Sequence, residues 1–336
     1  MNDPRGDKTV RKRVLSGMRP SGQLHLGHYL GVLVNWAKMQ EEHDCFFFVA
    51  DWHALTTEYE RTQVIRDSID EMVLDWMASG IDPNKANLFI QSHVPAHAEL
   101  HLLLSMITPL AWLERCTTYK EQLRELSQRD LQTYGFLGYP VLMTADILMY
   151  DASLVPVGID QLPHLELTRE IGRRFNFLYQ KETFVIPDQY LTKTSKVMGL
   201  DNRKMSKSYG NAILLSDTAQ EVWDKVRPMV TDPARVRRTD PGNPDICNVH
   251  DYHKIFSDEK TVAWSAAGCR SAGIGCIDCK KAMYENMERV LVPIRKRRQA
   301  IVESGISVKD ILAEGSARAN AVATRKIQEV REAVGI

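Results

Sequence analysis

Residues 13–40 read RVLSGMRPSGQLHLGHYLGVLVNWAKMQ. RVLSG predicts a short strand ending on glycine, and PSG (20–22) is turn chemistry. From residue 24 the apolar side chains of Leu26, Tyr29, Leu30, Leu33, Trp36 and Met39 recur at helical spacing. Strand, glycine turn and amphipathic helix, in that order, open a βα unit. The same alternation continues outward. CFFFVA (45–50) is a continuous apolar run, as in a strand buried on both faces. Ile65, Ile69, Met72, Val73 and Trp76 mark a helix over 62–79 that Gly80 stops. NLFIQ (87–91) predicts a strand and HAELHLLLSMITPLAWLE (97–114) a helix. YPVLMTADILMY (139–150) predicts a helix, SLVPVG (153–158) a strand, and DQLPHLELTREIGRRFNFLY (160–179) another helix. Strands alternating with helices imply α/β architecture: a Rossmann-like, doubly wound parallel sheet with helices on both faces.

Beyond about residue 214 strand signals stop, and 217–230, 280–302, 307–314 and 317–333 read as helices. The division expected is a basic tail (1–12), a Rossmann-like domain (13–214) and an all-helical C-terminal domain (215–336). A chain of 336 residues is long enough for two such units. No apolar run is long enough to cross a membrane. The polar, basic start MNDPRGDKTVRKR lacks the apolar core of an export signal, so a cytoplasmic location is expected. The 43 basic residues balance 43 acidic ones. That argues against wholesale coating of nucleic acid, though not against a specific complex using local basic patches.

In a doubly wound sheet, ligands sit at the carboxyl ends of the strands, near helix N-termini. The first turn there, SGMRPSGQLHLGHYLG (16–31), has neither a GxGxxG fingerprint nor the lysine of a P-loop. It does offer Gly22 and Gly27 for close backbone approach, with His25 and His28 three residues apart on one helix face. The competing reading is a helix start with two polar histidines. A second segment, GLDNRKMSKSYGN (199–211), crowds lysines, hydroxyls and glycines into a loop. Alone it reads equally well as a solvated basic loop. Together with HLGH, its lysines suit a phosphate chain whose charge grows in a transition state.

HLGH and KMSKS resemble the two signatures of class I aminoacyl-tRNA synthetases. GMRPSGQLHLGHYLG, ADWHALTT, LERCTTYK, YPVLMTADILMY, VPVGIDQLPHLELTREIGRRFN and KMSKSYGN resemble, in order, segments of bacterial tryptophanyl-tRNA synthetases across nearly all the chain after residue 13. The resemblance implies attack of the tryptophan carboxylate on the ATP α-phosphate, release of pyrophosphate, and transfer of the acyl group to the terminal ribose of tRNA(Trp). No protein nucleophile is needed, so catalysis is positioning and charge stabilisation. The resemblance places ATP on Arg19, Pro20, Ser21, Gly27, His28, Lys120, Gly158, Ile159, Asp160, Gln161 and Val197, and on Lys204, Met205, Ser206, Lys207 and Ser208. Lys204, Lys207, His28 and His25 are the catalytic set, with Mg²⁺ accompanying ATP. Many members carry Gln where this chain has Arg19. The resemblance also implies a homodimer, tRNA rather than DNA as the nucleic-acid partner, and no membrane.

Tryptophan offers one indole N–H and no acceptor. Asp146, one helical turn after Met143 and flanked by apolar residues, matches the aspartate that the family places on that N–H. Leu15, His53, Met143, Val155, Val157 and Gln161 complete the expected pocket. His53 also reads as a satisfied core histidine.

Four cysteines follow the spacing Cys247-x21-Cys269-x6-Cys276-x2-Cys279. With no export signal, four thiols with one CxxC are a metal signal that serves zinc and iron–sulfur clusters alike. A nearly identical array in some bacterial tryptophanyl-tRNA synthetases holds a [4Fe–4S] cluster. That resemblance favours [4Fe–4S], with Zn²⁺ the alternative. Basic runs at 235–238 and 295–298, with Lys280 and Lys281, suggest an RNA surface around the cysteines. Cys45 and Cys116 read as packing residues. A tyrosine–tRNA ligase, an HxGH nucleotidylyltransferase and an iron–sulfur sensor with a vestigial synthetase domain remain alternatives.

Overall fold

The computed structural model describes residues 11–116, 132–191 and 197–336. Strands β1 (Arg13–Met18), β2 (Asp44–Val49), β3 (Ala86–Ile90), β4 (Leu154–Val157) and β5 (Asp188–Leu191) form one parallel sheet in the order β3-β2-β1-β4-β5. The chain winds outward first to one side of β1 and then to the other. The crevice between the carboxyl ends of β1 and β4 is therefore the switch point where such sheets bind ligands.

Alternation along the strands sorts two cores. Val14, Cys45, Phe47, Val49, Leu88 and Ile90 face one way, while Leu15, Phe46, Phe48 and Phe89 face the other. On the first face Trp36 stacks on Phe47 at 4.2 Å and meets Trp76 edge-on at 5.0 Å. Trp36 comes from α1, which opens at Leu26–His28, passes through a wide π turn (Tyr29–Leu33) and continues as Val34–Glu42. Trp76 comes from α3 (Thr62–Ala78), which Gly80 ends with a φ of 106°. The second face is covered by α4 (Ala96–Ser105), α6 (Tyr134–Met149) and α7 (Leu162–Leu178). Short helices α2 (Asp51–Glu58) and α5 (Leu110–Glu114) complete this half.

Past β5 the described chain is helical: α8 (Ala219–Val226), α9 (Asn248–Phe256), α10 (Glu259–Arg270), α11 (Cys276–Glu303) and α12 (Val308–Val334). The last helix returns to the sheet. A Cβ on Gly315 would lie 1.7 Å from the Leu88 carbonyl, so only glycine lets α12 press against β3. Asn87 Nδ2 donates to the Gly315 carbonyl at 3.1 Å and Arg318 Nε to Asn87 Oδ1 at 2.8 Å. Ala319, Ala323, Ile327 and Val330 then bury into the second core.

The parallel sheet and the helical C-terminal part agree with the sequence reading; several elements do not. Strand β5, DQYL, went unread because all four residues are exposed and no apolar run marks it. The 97–114 helix is two, separated before Pro109, whose preceding residue is disfavoured in helix. The two helices expected over 307–314 and 317–333 are one, Val308–Val334, because Gly315 is a contact site and not a stop. Helices α2, α9 and α10 were missed, and α11 begins at Cys276. Among the described residues no helix is long and apolar enough to cross a membrane.

Candidate active site

Both signature segments meet at the end of β1. The Leu26 N–H donates to the Ile213 carbonyl and the Leu215 N–H to the Leu24 carbonyl, each at 3.0 Å. This short ladder fixes the second segment over the first. Lys207 reaches across the turn and donates its ammonium to the Ser21 carbonyl, above Gly22. Gly22 has a φ of 98°, and a Cβ there would lie 2.7 Å from Lys207 Nζ. Burial lowers the Lys207 pKa from its ordinary value, opposed by the charge of Asp75. Met205 is buried, Lys204 is exposed, and Val197 is buried at the loop's foot.

The two histidines take defined proton states. His25 Nδ1 accepts from the Gly27 N–H at 3.1 Å, and His28 Nδ1 accepts from the His25 N–H at 3.2 Å. Each neutral ring therefore carries its proton on Nε2, a donor without a full charge. Their rings lie 3.8 Å apart. Burial and then Lys207 bring His25 to about 4, while burial, His25 and Lys207 bring His28 to about 3. Both stay neutral in the fold, whereas the unfolded chain protonates them near 6.5. The unfolded state thus binds more protons from about pH 6.5 down to 4 or 3, and stability falls with pH through that window. Thermal midpoints measured from pH 7.5 to 5 should drop on acidification. The drop should be shallower in His28→Gln, and an equal slope would mean that His28 does not contribute.

Beside this end, a cavity of about 450 Å³ opens between β1, β4, α2 and α6. Leu15, His53, Met143, Asp146, Val155, Val157 and Gln161 all line it, as do Arg19, Gly158 and Asp160. Asp146 is 1% exposed, and its carboxylate is ringed by donors. Gln91 Nε2 lies 2.8 and 3.0 Å from the two oxygens, His97 Nδ1 2.6 Å from Oδ1, and His53 Nε2 2.8 Å from Oδ2. His97 Nε2 in turn meets the Tyr150 hydroxyl at 2.7 Å. Burial alone raises the Asp146 pKa. Hydrogen bonds and charge from His53 and His97 outweigh it and hold the carboxyl well below the usual range. Gln91, His97 and Tyr150 were missed in the sequence because their partners are 49 to 55 residues away. Tyr139, which lines the cavity and bonds His164 Nε2 at 2.8 Å, was also missed.

A profile for tRNA synthetases class I (W and Y) matches residues 7–292. The chain belongs to this family of class I tRNA synthetases. Among relatives of the synthetase, the tryptophan–tRNA ligase of Thermotoga maritima is 51% identical, covering 96% of this chain and 99% of that one. The tryptophan–tRNA ligase of Ralstonia nicotianae is 46% identical over 97% and 98% of the two chains. A crystal structure of Campylobacter jejuni tryptophanyl-tRNA synthetase complexed with ADP and tryptophan matches with a TM-score of 0.83 at 32% identity. It covers 96% of this chain and all of that one.

Elsewhere in the synthetase the sequence expectations fare unevenly. Lys120 and the Ser208 side chain lie outside the described residues, as does the tail to residue 10. The four cysteines sit close enough for Cys247, Cys269 and Cys276 to act electrostatically on Cys279. Burial first, and then those neighbours, push the Cys279 thiol up to about 12. Yet among the described residues no group of three or more His, Cys, Asp or Glu side chains is placed to hold a metal ion. The four expected ligands are thus gathered in one place, without the geometry of a closed set among the described residues.

The basic runs are only partly free to form the expected RNA surface. Arg235 is 9% exposed, with Nη1 3.8 Å from Cys269 Sγ and Nη2 on the Ile274 carbonyl. Lys280 is buried and donates to the Arg227 carbonyl at 2.8 Å. Arg295 pairs with Glu288, Arg298 with Glu71 and Asp75, and Arg297 Nε donates to the Ala78 carbonyl. These cations tie the helical part to itself and to α3. Arg237, Arg238, Lys281, Lys296 and Arg297 remain exposed.

Proposed function

We infer that the protein is a tryptophan–tRNA ligase. It activates L-tryptophan with ATP to tryptophanyl-adenylate and pyrophosphate, then transfers tryptophan to the 3′ end of tRNA(Trp). The observation that carries this reading is the buried Asp146 carboxylate in the wall of a cavity that opens beside the two signature segments. The identity to tryptophan–tRNA ligases over almost the full chain supports it.

In this reading the indole enters between Leu15, Met143, Val155 and Val157, and its N–H turns toward Asp146, with His53 and Gln161 completing the pocket. The triphosphate lies along Arg19, Pro20, Ser21 and Gly27. Gly158, Ile159, Asp160 and Gln161 wall the nucleotide, and Val197 meets the adenine. The tryptophan carboxylate attacks the α-phosphorus, and the bond to the pyrophosphate oxygen breaks. Neutral His25 and His28 donate from Nε2. Lys204 and Lys207, with Met205, Ser206 and Ser208 in the same segment and Lys120 in addition, meet the growing phosphate charge. Mg²⁺ bound with ATP offsets further phosphate charge. A ribose hydroxyl of tRNA then attacks the acyl carbonyl and AMP leaves. Residues 215–336 serve as the tRNA-binding part, and the working unit is a homodimer in the cytoplasm.

Cys247, Cys269, Cys276 and Cys279 would hold a [4Fe–4S] cluster. The donor set fits in chemical kind: four cysteine sulfurs, three of them close enough to act electrostatically on Cys279, with Arg235 and Lys280 beside them to balance thiolate charge. The cluster would supply cross-linking of α9, α10 and α11.

One preparation tests both readings. Protein purified without oxygen is assayed for ATP–pyrophosphate exchange with tryptophan and with tyrosine, and the same sample is analysed for iron and zinc. Exchange with tryptophan alone and about four irons per chain are expected. Exchange with tyrosine alone overturns the substrate assignment. One zinc per chain replaces the cluster with a structural ion.

A further inference from the structure

We propose that Asn248 and Tyr252, on α9 of the helical part, are positioning residues for the loop that carries Lys204 and Lys207. This inference rests on the adenylation reading above. The loop is internally stiff. Met198 bridges Lys204 across it, and the Gly199 N–H donates to the Arg203 carbonyl at 2.6 Å. The Asn211 side chain closes the mouth. It accepts from the Ser206 N–H at 2.8 Å and donates to Asp201 Oδ1 at 2.7 Å and to the Lys204 carbonyl at 3.1 Å. A loop tied this way shifts as one body about its foot.

That foot is held from the helical part at three successive carbonyls. The Tyr252 hydroxyl donates to Met198 O at 2.6 Å, Asn248 Nδ2 to Gly199 O at 2.7 Å, and the Val230 N–H to Leu200 O at 3.1 Å. Tyr252 and Asn248 are each 1% exposed, so packing fixes both donors. Among the described residues, the buried Asn248 Oδ1 has no hydrogen-bond partner. An apolar residue of similar volume would avoid that orphaned acceptor, so fold stability alone does not account for an amide here. Its remaining use is the donation to Gly199. Helix α9 is itself braced by His253, whose Nε2 lies 3.1 Å from the Cys279 carbonyl of α11. The placement of Lys207 over Ser21 is thus set from two sides: by the 24–26/213–215 ladder and by α9.

Small misplacements of charge at a transition state cost up to about a hundredfold in rate. Tyr252→Phe removes only the hydroxyl, and Asn248→Leu removes the donor together with the orphaned acceptor. Each should lower kcat for tryptophan-dependent exchange about tenfold, and the pair about a hundredfold, while KM for tryptophan stays put. The thermal midpoint of Asn248→Leu should hold or rise. A lower midpoint with unchanged kcat would make the tethers structural only and overturn the proposal. A second readout is independent of activity. Trypsin should cut after Lys204 and Lys207 about tenfold faster in both variants, because untethered loops open more often. Equal cutting rates would overturn the proposal even if wild-type exchange failed, a failure that would instead count against the adenylation reading.

Discussion

Lys207→Ala should lower the rate of tryptophan-dependent ATP–pyrophosphate exchange by about 10²–10³-fold, the loss typical for one transition-state donor. Its affinity for tryptophan should be unchanged. The lysine does not line the cavity that holds Asp146. Its ammonium sits instead on the Ser21 carbonyl, over the turn where the triphosphate is placed. A backbone carbonyl is a weak partner for a half-buried ammonium, and burial accordingly lowers the lysine pKa. A phosphate oxygen is a stronger partner and gains charge as the leaving group departs, so the interaction grows toward the transition state. Lys204, exposed at the loop surface, should matter less, about tenfold on alanine substitution. Pre-steady-state exchange with equilibrium dialysis of labelled tryptophan separates the two effects. Weaker tryptophan binding in Lys207→Ala, with the chemical step intact, would remove the assigned role.

What the sequence reveals of this machine follows a physical division. The βα opening at 13–40 and the signature segments are local, because strand, turn and helix are each written within a few residues. The seven expected pocket residues line one cavity: Leu15 on β1, His53 on α2, Met143 and Asp146 on α6, Val155 and Val157 on β4, and Gln161 in the turn that follows it. Features that depend on distant partners stay hidden. Gln91 and His97 look like ordinary polar residues until the fold brings them to Asp146. RKRR (295–298) looks like a solvated face. In the fold Arg298 reaches Asp75, whose other carboxylate oxygen accepts the Leu24 N–H at 3.3 Å beside the first signature. Gly315 looks like a helix stop until Leu88 is seen against it. The cysteine spacing brings the thiols together, but spacing does not specify how closely they close.

Asp146→Ala should weaken tryptophan binding about 10–100-fold, the range expected for one hydrogen bond to a charged group. The same substitution should also lower the thermal midpoint, for a separate reason. It leaves the Gln91 amide and the His97 and His53 ring N–H groups facing an empty space, and buried donors without partners are costly. Acidification addresses the second effect with a definite sign. The carboxyl is held below its ordinary value, so its contribution is complete above about pH 4 and is lost only as pH falls toward the depressed folded value. Binding at neutral pH therefore reports the indole contact and not titration of Asp146. Asp146→Asn separates contact from scaffold. Its amide oxygen still accepts, but its NH₂ must face one of the three donors, so the ring of partners is broken while the volume is kept. On the proposed reading both variants lose tryptophan affinity, and the margin over tyrosine narrows because a buried charged acceptor no longer favours the indole N–H. Equilibrium dialysis with both amino acids, well below each variant's midpoint, decides the matter. Unchanged tryptophan affinity beside a lowered midpoint would make Asp146 a buried strut for α4 and α6, and the selectivity would have to lie elsewhere in the cavity wall.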